Sequence, residues 1–139
     1  MFTLSIVTPE RVYYDGKVSS LVVPGTEGYL GVLSNHAPLI TSLRNGRIEF
    51  RDEKNAVHIL AVSGGFLEVF DNKATLLADT VEASEEIDVT RAQQAFERAK
   101  KRLEMINAGE SPNGAGEQEA REAIERARNR LKIYRDTHS

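Results

Sequence analysis

Hydrophobic and polar residues alternate with a period of two through the first part of this chain, and from about residue 85 the spacing changes to steps of three and four. Phe2, Leu4 and Ile6 alternate with Thr3 and Ser5, the signature of a half-buried strand that ends at Pro9. Val12 to Tyr14 and Val18 to Val23 predict two short strands joined by a turn at Asp15-Gly16, with Pro24-Gly25 closing the second. Glycines follow at 25, 28 and 31, a spacing that suggests bulges or sheet corners. Asn45-Gly46 predicts a hairpin turn, since both residues tolerate positive φ. Arg47 to Arg51 then alternates around Ile48 and Phe50, Asp52 to Asn55 supplies a polar turn, and Val57 to Val62 runs back. Ser63-Gly64-Gly65 breaks that strand before Phe66 to Phe70, and Asp71-Asn72 turns the chain into Ala74 to Asp79. Short strands at close, regular spacing predict an antiparallel β-sandwich or flattened barrel over residues 1–84.

The pattern breaks at Ile87-Asp88-Val89-Thr90-Arg91-Ala92. Asp88 suits a helix N-cap, because its carboxylate can accept the free amide hydrogens of the first turn and its charge suits the positive end of the helix dipole. From there the apolar positions are Val89, Ala92, Phe96, Ala99, Leu103 and Ile106, a narrow coiled-coil seam. Pro112 and the glycines of the stretch 107–116 interrupt it, and it resumes at Ala120, Ile124, Ala127, Leu131 and Tyr134. Two helices around a short loop predict an antiparallel α-helical hairpin over residues 85–139, and the whole is of the α+β class. Alanines 92, 99, 120 and 127 bury little area, so the helices are weakly joined. Each helix has strong local support, including i, i+4 pairs at Glu97/Lys101, Glu117/Arg121 and Glu122/Arg126. Helices that are stable alone and weakly joined can separate without melting, which makes the hairpin a candidate two-state element.

Composition narrows the function more than the fold. A net charge of -3 gives no reason to expect nucleic acid binding, and zero cysteines exclude disulfides and thiolate chemistry and fit an intracellular compartment. The alternating N-terminus reads as a strand rather than a signal peptide, and no apolar run reaches the ~18 residues of a spanning helix, so no direct membrane insertion is expected. His36, His58 and His138 are scattered and build neither a metal site nor a triad. The glycines are not a phosphate loop, because Gly31 is followed by Val32-Leu33 rather than Lys-Ser/Thr entering a helix. No catalytic constellation emerges, so the chain is not expected to be an enzyme. The arginines are more informative. Arg91, Arg98 and Arg102 fall on related helical positions, Arg126 and Arg130 are one turn apart, and from 126 to 135 five basic residues occur without an acid. This is either a solvated face that suits a helix C-terminus or a site for phosphate or carboxylate groups, which guanidinium recognises bidentately.

Taken in order, the Pro24-Gly25-x-x-Gly28-x-x-Gly31 stretch running to His36-Ala37-Pro38-Leu39, the Ser63-Gly64-Gly65-Phe66 corner and the Ile87–Ala92 hinge resemble the epsilon subunit of bacterial F-type ATP synthases, over essentially the whole chain. Ser34 stands where many relatives have proline. The resemblance implies a non-catalytic central-stalk subunit of the proton-translocating enzyme, peripheral on the cytoplasmic side of the cell membrane. Its sandwich would dock on the gamma subunit and the ring of c subunits, coupling rotation to ATP synthesis. Its hairpin would permit turnover when folded down, and inhibit ATP hydrolysis when extended toward the alpha and beta subunits.

In bacillus-like members the folded-down state binds ATP as a regulatory ligand, with no cofactor required. Carried over by position, that site would comprise Glu82, Ile87, Asp88, Arg91 and Ala92 around the hinge, Arg98 on the first helix, and Arg126 and Arg130 on the second, with or without magnesium. Two other classes stay open on the sequence: a free-standing nucleotide-binding sensor protein, and an enzyme built on the sandwich. Copurification with a gamma subunit separates the first from the subunit reading, and intrinsic turnover the second.

Overall fold

The alternation at the N-terminus becomes strand β1 (Phe2–Val7), in which Phe2, Leu4 and Ile6 are buried and the residues between them half-buried. The computed structural model describes residues 1–109 and 116–138, so the expected loop at Pro112 lies largely outside the described residues. After β1 come β2 (Val12–Gly25), β3 (Gly28–Val32), β4 (Leu39–Ser42), β5 (Gly46–Asp52), β6 (Val57–Ser63), β7 (Phe66–Phe70), β8 (Lys73–Leu77) and β9 (Thr80–Ala83). A 3-10 turn (Ser84–Glu86) leads to helices α1 (Val89–Asn107) and α2 (Glu117–His138). The chain divides into two compact units, Met1–Ala83 and Ser84–Ser139.

In the first unit the strands run in the order β4-β7-β8-β1-β2-β5-β6-β9, with β3 added to β2. Alternate residues of most of these strands meet in one core that includes Leu4, Ile6, Leu21, Ile48, Phe50, Leu67 and Leu76. The pairing is antiparallel except between β1 and β8, which run parallel. Parallel neighbours need a long connection, and here the whole of β2 to β7 lies between them.

Three local expectations change. The Asp15-Gly16 turn does not form, because β2 is one continuous strand in which Gly16 opposes Leu4 of β1. Gly16 leaves room for the Tyr14 ring, whose hydroxyl would lie 3.1 Å from a Cβ at that position. Nor is Asn45-Gly46 a hairpin turn, since β4 pairs with β7 and β5 with β2 and β6. Gly46 serves close packing, because a Cβ there would stand 2.6 Å from Pro24 Cβ. The Gly25/Gly28 spacing marks a hairpin rather than a bulge: the two glycines oppose each other across Thr26-Glu27, and Gly28 has φ +136°. The turn at Asp71-Asn72 forms as expected, with φ of 50° and 59° matching a two-residue primed turn between β7 and β8.

In the second unit Asp88 caps α1, its side chain accepting a hydrogen bond from the Arg91 amide at 3.0 Å. The first and last turns of α1 lack favourable charges, so this cap is its chief end signal, whereas α2 has Glu117 and Glu119 in its first turn and Arg135 and His138 in its last. Ala92, Ala99, Ile106, Ala120 and Ala127 are buried, as the seam requires. Val89, at 37% exposure, is not part of the buried stripe. Ile133 is buried to 2% exposure although it lies off the seam. Besides α1, α2 also packs on the 3-10 turn. Of the three expected i, i+4 ion pairs, Glu117–Arg121 forms at 3.0 Å. Glu97 and Glu122 instead accept from Gln93 and Gln118, at 3.0 and 3.1 Å.

Candidate functional site

The start of α1 is fixed by short-range bonds. The Ile87 amide donates to the Ser84 carbonyl at 3.4 Å, and the Ala92 amide to the Asp88 carbonyl at 2.9 Å. With this start set, the rotation of about 100° per residue places Arg91, Arg98 and Arg102 on one flank of α1. On the antiparallel partner the same rotation places Arg126 and Arg130 on a flank of α2 facing the same side. Two contacts mark the sides independently. Arg102 Nη2 lies 3.6 Å from Glu119 Oε2 on the arginine-rich side, and the Arg128 guanidinium stands 6.0 Å from the Phe96 ring centre on the other.

Arg91, Arg98 and Arg126 are exposed and Arg130 is half-buried. Guanidinium groups from both helices therefore share one face of the hairpin, and each offers a planar donor fork suited to phosphate or carboxylate oxygens. Ile87 and Ala92, at 5% and 0% exposure, present no side-chain surface. Any part they play in binding falls to their backbone. Glu82, half-buried on β9, belongs to the first unit, whereas the other seven residues belong to the second. The pairing of Arg102 with Glu119 had no signal in the sequence, because it depends on the register of the two helices.

Among the described residues no group of three or more His, Cys, Asp or Glu side chains is placed to hold a metal ion. The histidines have structural surroundings. His58 Nε2 lies 2.9 Å from Asp52 Oδ2 and its ring stacks on Phe50 at 4.5 Å. His138 stacks on Tyr134 at 4.0 Å. His36 Nδ1 lies 2.7 Å from the Ala37 carbonyl oxygen.

The first unit presents a different feature. On the outer side of β4, β7 and β8 four large apolar residues are exposed, Ile40 at 73%, Phe70 at 64%, Phe66 at 55% and Leu77 at 51%, with Ser42, Glu68 and Lys73 exposed among them. Phe66 lies between Ser42 and Leu77 in the ladder, and Ile40 beside Glu68. Single exposed apolar residues are ordinary, but four gathered on three neighbouring strands favour an interaction surface, one with Glu68 in its midst.

Two family models together match residues 1–134: the beta-sandwich domain of the ATP synthase delta/epsilon chain over 1–84, and its long alpha-helix domain over 85–134. An ATP synthase epsilon chain from Moorella thermoacetica is 49% identical over 129 residues, 93% of this chain and 92% of that one. One from Pelotomaculum thermopropionicum is 55% identical over 100 residues, covering 72% and 74% of the two chains. The fold is also similar to a chain in the Euglena gracilis mitochondrial ATP synthase, with TM-score 0.77 and 23% identity over 91% of this chain and 76% of that one. Among the described residues no helix is long and apolar enough to cross a membrane. The chain belongs to the family of ATP synthase delta/epsilon chains and, within it, to the bacterial epsilon subunits, which are non-catalytic parts of the central stalk.

Proposed function

We propose that this chain couples rotation to ATP synthesis and restrains ATP hydrolysis through its helical hairpin, with ATP favouring the folded-down state. The observation that carries this reading is the shared basic face. Arg91 and Arg98 come from one helix and Arg126 and Arg130 from the other, so they converge only while the helices are paired. A triphosphate bound to both would stabilise the paired state over the separated one, and by linkage it would shift the population by its difference in affinity for the two. The alanines buried in the seam leave the paired state a small margin, which a ligand of moderate affinity can tip.

In the same reading the apolar face of Ile40, Phe66, Phe70 and Leu77 is the docking surface for the gamma subunit, and the sandwich also meets the c ring. The separated hairpin reaches the alpha and beta subunits, with the basic run from Arg126 against an acidic segment of beta. The chain then sits peripherally on the cytoplasmic side of the cell membrane as part of the assembly, and proton flow through the c ring drives the rotation it transmits. The direct test is ATP hydrolysis by an alpha, beta and gamma assembly with and without this chain, across a range of ATP concentrations. The proposal expects inhibition at low ATP that is relieved as ATP rises. Hydrolysis unaffected by the chain at every concentration would overturn it.

A further inference from the structure

Arg102 is a fifth guanidinium on the basic side of the hairpin, and it has a carboxylate partner on the other helix. Its Nη2 lies 3.6 Å from Glu119 Oε2. The same guanidinium rests against Gly116, whose carbonyl accepts from the Ala120 amide at 2.9 Å at the start of α2. A Cβ at Gly116 would run into it, and with φ +85° the position suits glycine in any case. Arg102 is thereby held at the loop end of the hairpin.

We propose that Glu119 is a built-in competitor of the anion site: it holds Arg102 against the start of α2 and so withholds a fifth guanidinium from a bound triphosphate. This inference rests on reading the basic face as a triphosphate site. The Arg102 and Glu119 side chains are 55% and 77% exposed, so the pair is worth little by itself and can exchange with a ligand. A carboxylate and a triphosphate compete for the same donor fork, and Glu119 also adds a negative charge to the face where the anion would sit. Glu119 therefore sets the affinity of the site without being needed for it.

The test is calorimetric titration of the full chain with ATP, and separately with inorganic tripolyphosphate, for the wild type, Glu119→Gln, Arg102→Gln, the double variant and Glu125→Gln. Glutamine keeps the reach of the side chain at the third helical position, so the start of α2 is preserved. Glu125 pairs with Arg128, on the opposite side, at 3.4 Å, and controls for the change in net charge alone. The expected result is about two- to fivefold tighter binding by Glu119→Gln, the scale of one exposed ion pair. That gain should vanish in the Arg102→Gln background, and Glu125→Gln should bind as the wild type does. A wild type that binds ATP and a Glu119→Gln variant that binds no tighter would overturn this inference alone. The same gain in the Arg102→Gln background would also overturn it. Failure of both the wild type and Glu119→Gln to bind either ligand would overturn it together with the triphosphate reading.

Discussion

At the residue scale, one carboxylate closes the β5–β6 hairpin. Asp52 Oδ1 accepts from the amides of Lys54 and Ala56, both at 2.9 Å, and Oδ2 lies 2.9 Å from His58 Nε2. These bonds hold the Asp52 carboxyl below the ordinary aspartate range, the bond to His58 contributing most and the Ala56 amide next. A folded-state pKa below the unfolded one contributes stability that is present above the unfolded value and lost as pH falls through the folded one. Asp52→Asn should therefore lower the melting temperature at pH 7, and its deficit should shrink on acidification from about pH 4, the ordinary aspartate value, down through the lower folded-state value. Thermal melts of both proteins across pH 2 to 7 check this, and a deficit that is constant with pH would contradict it. The polar turn itself was legible in Asp52 to Asn55. The partner of His58 was not, because an alternating strand does not say which side chain lies across the ladder. Gly65 gives a second residue-level prediction. It has φ +112°, and a Cβ there would run into the Leu77 carbonyl and stand 2.8 Å from Ala78 Cα. Gly65→Ala should cost at least about 2 kcal/mol in chemical denaturation, combining backbone strain with overpacking.

At the element scale, the helices were legible because period, cap and breakers agreed. Asp88 does what its position before Val89 suggested, and Asp88→Ala should cost about 1 kcal/mol of hairpin stability, read as a lower helical melting transition by circular dichroism. The seam was legible only in part. Spacing in steps of three and four identifies residues facing one partner, and Ile133, which lies off that spacing, is buried to 2%. Ile133→Ala should therefore cost about 2–4 kcal/mol in chemical denaturation. Val89→Ala, at a half-exposed position that the spacing had put inside, should stay within about 0.5 kcal/mol. Equal costs for the two would contradict this account of the packing. The strands show the opposite limitation. Asp15-Gly16 and Asn45-Gly46 carry the chemistry of turns, yet the first lies within β2 and the second sits where Gly46 packs against Pro24. Glycine answers to both positive φ and close approach, and a local pattern cannot distinguish these uses. β9 escaped notice for a related reason: four residues are too short for alternation to declare itself, and its pairing with β6 is a long-range choice.

At the scale of the whole molecule, the order of sheet unit, hinge and hairpin was legible, and so was membership of the epsilon family, because several moderate motifs occurred in one order. What could not be read was which arginines share a side, since that follows from the register of α1 on α2. The central claim is that this shared side binds ATP and so ties the state of the hairpin to nucleotide. The measurement that tests it most directly is calorimetric titration of the isolated 139-residue chain with ATP, with ADP and the Arg126→Ala variant as comparisons. The account predicts saturable binding that prefers ATP to ADP and weakens at least about tenfold in Arg126→Ala, the loss of one charge-assisted contact to phosphate. No saturable ATP binding, or binding that Arg126→Ala leaves unchanged, would contradict it.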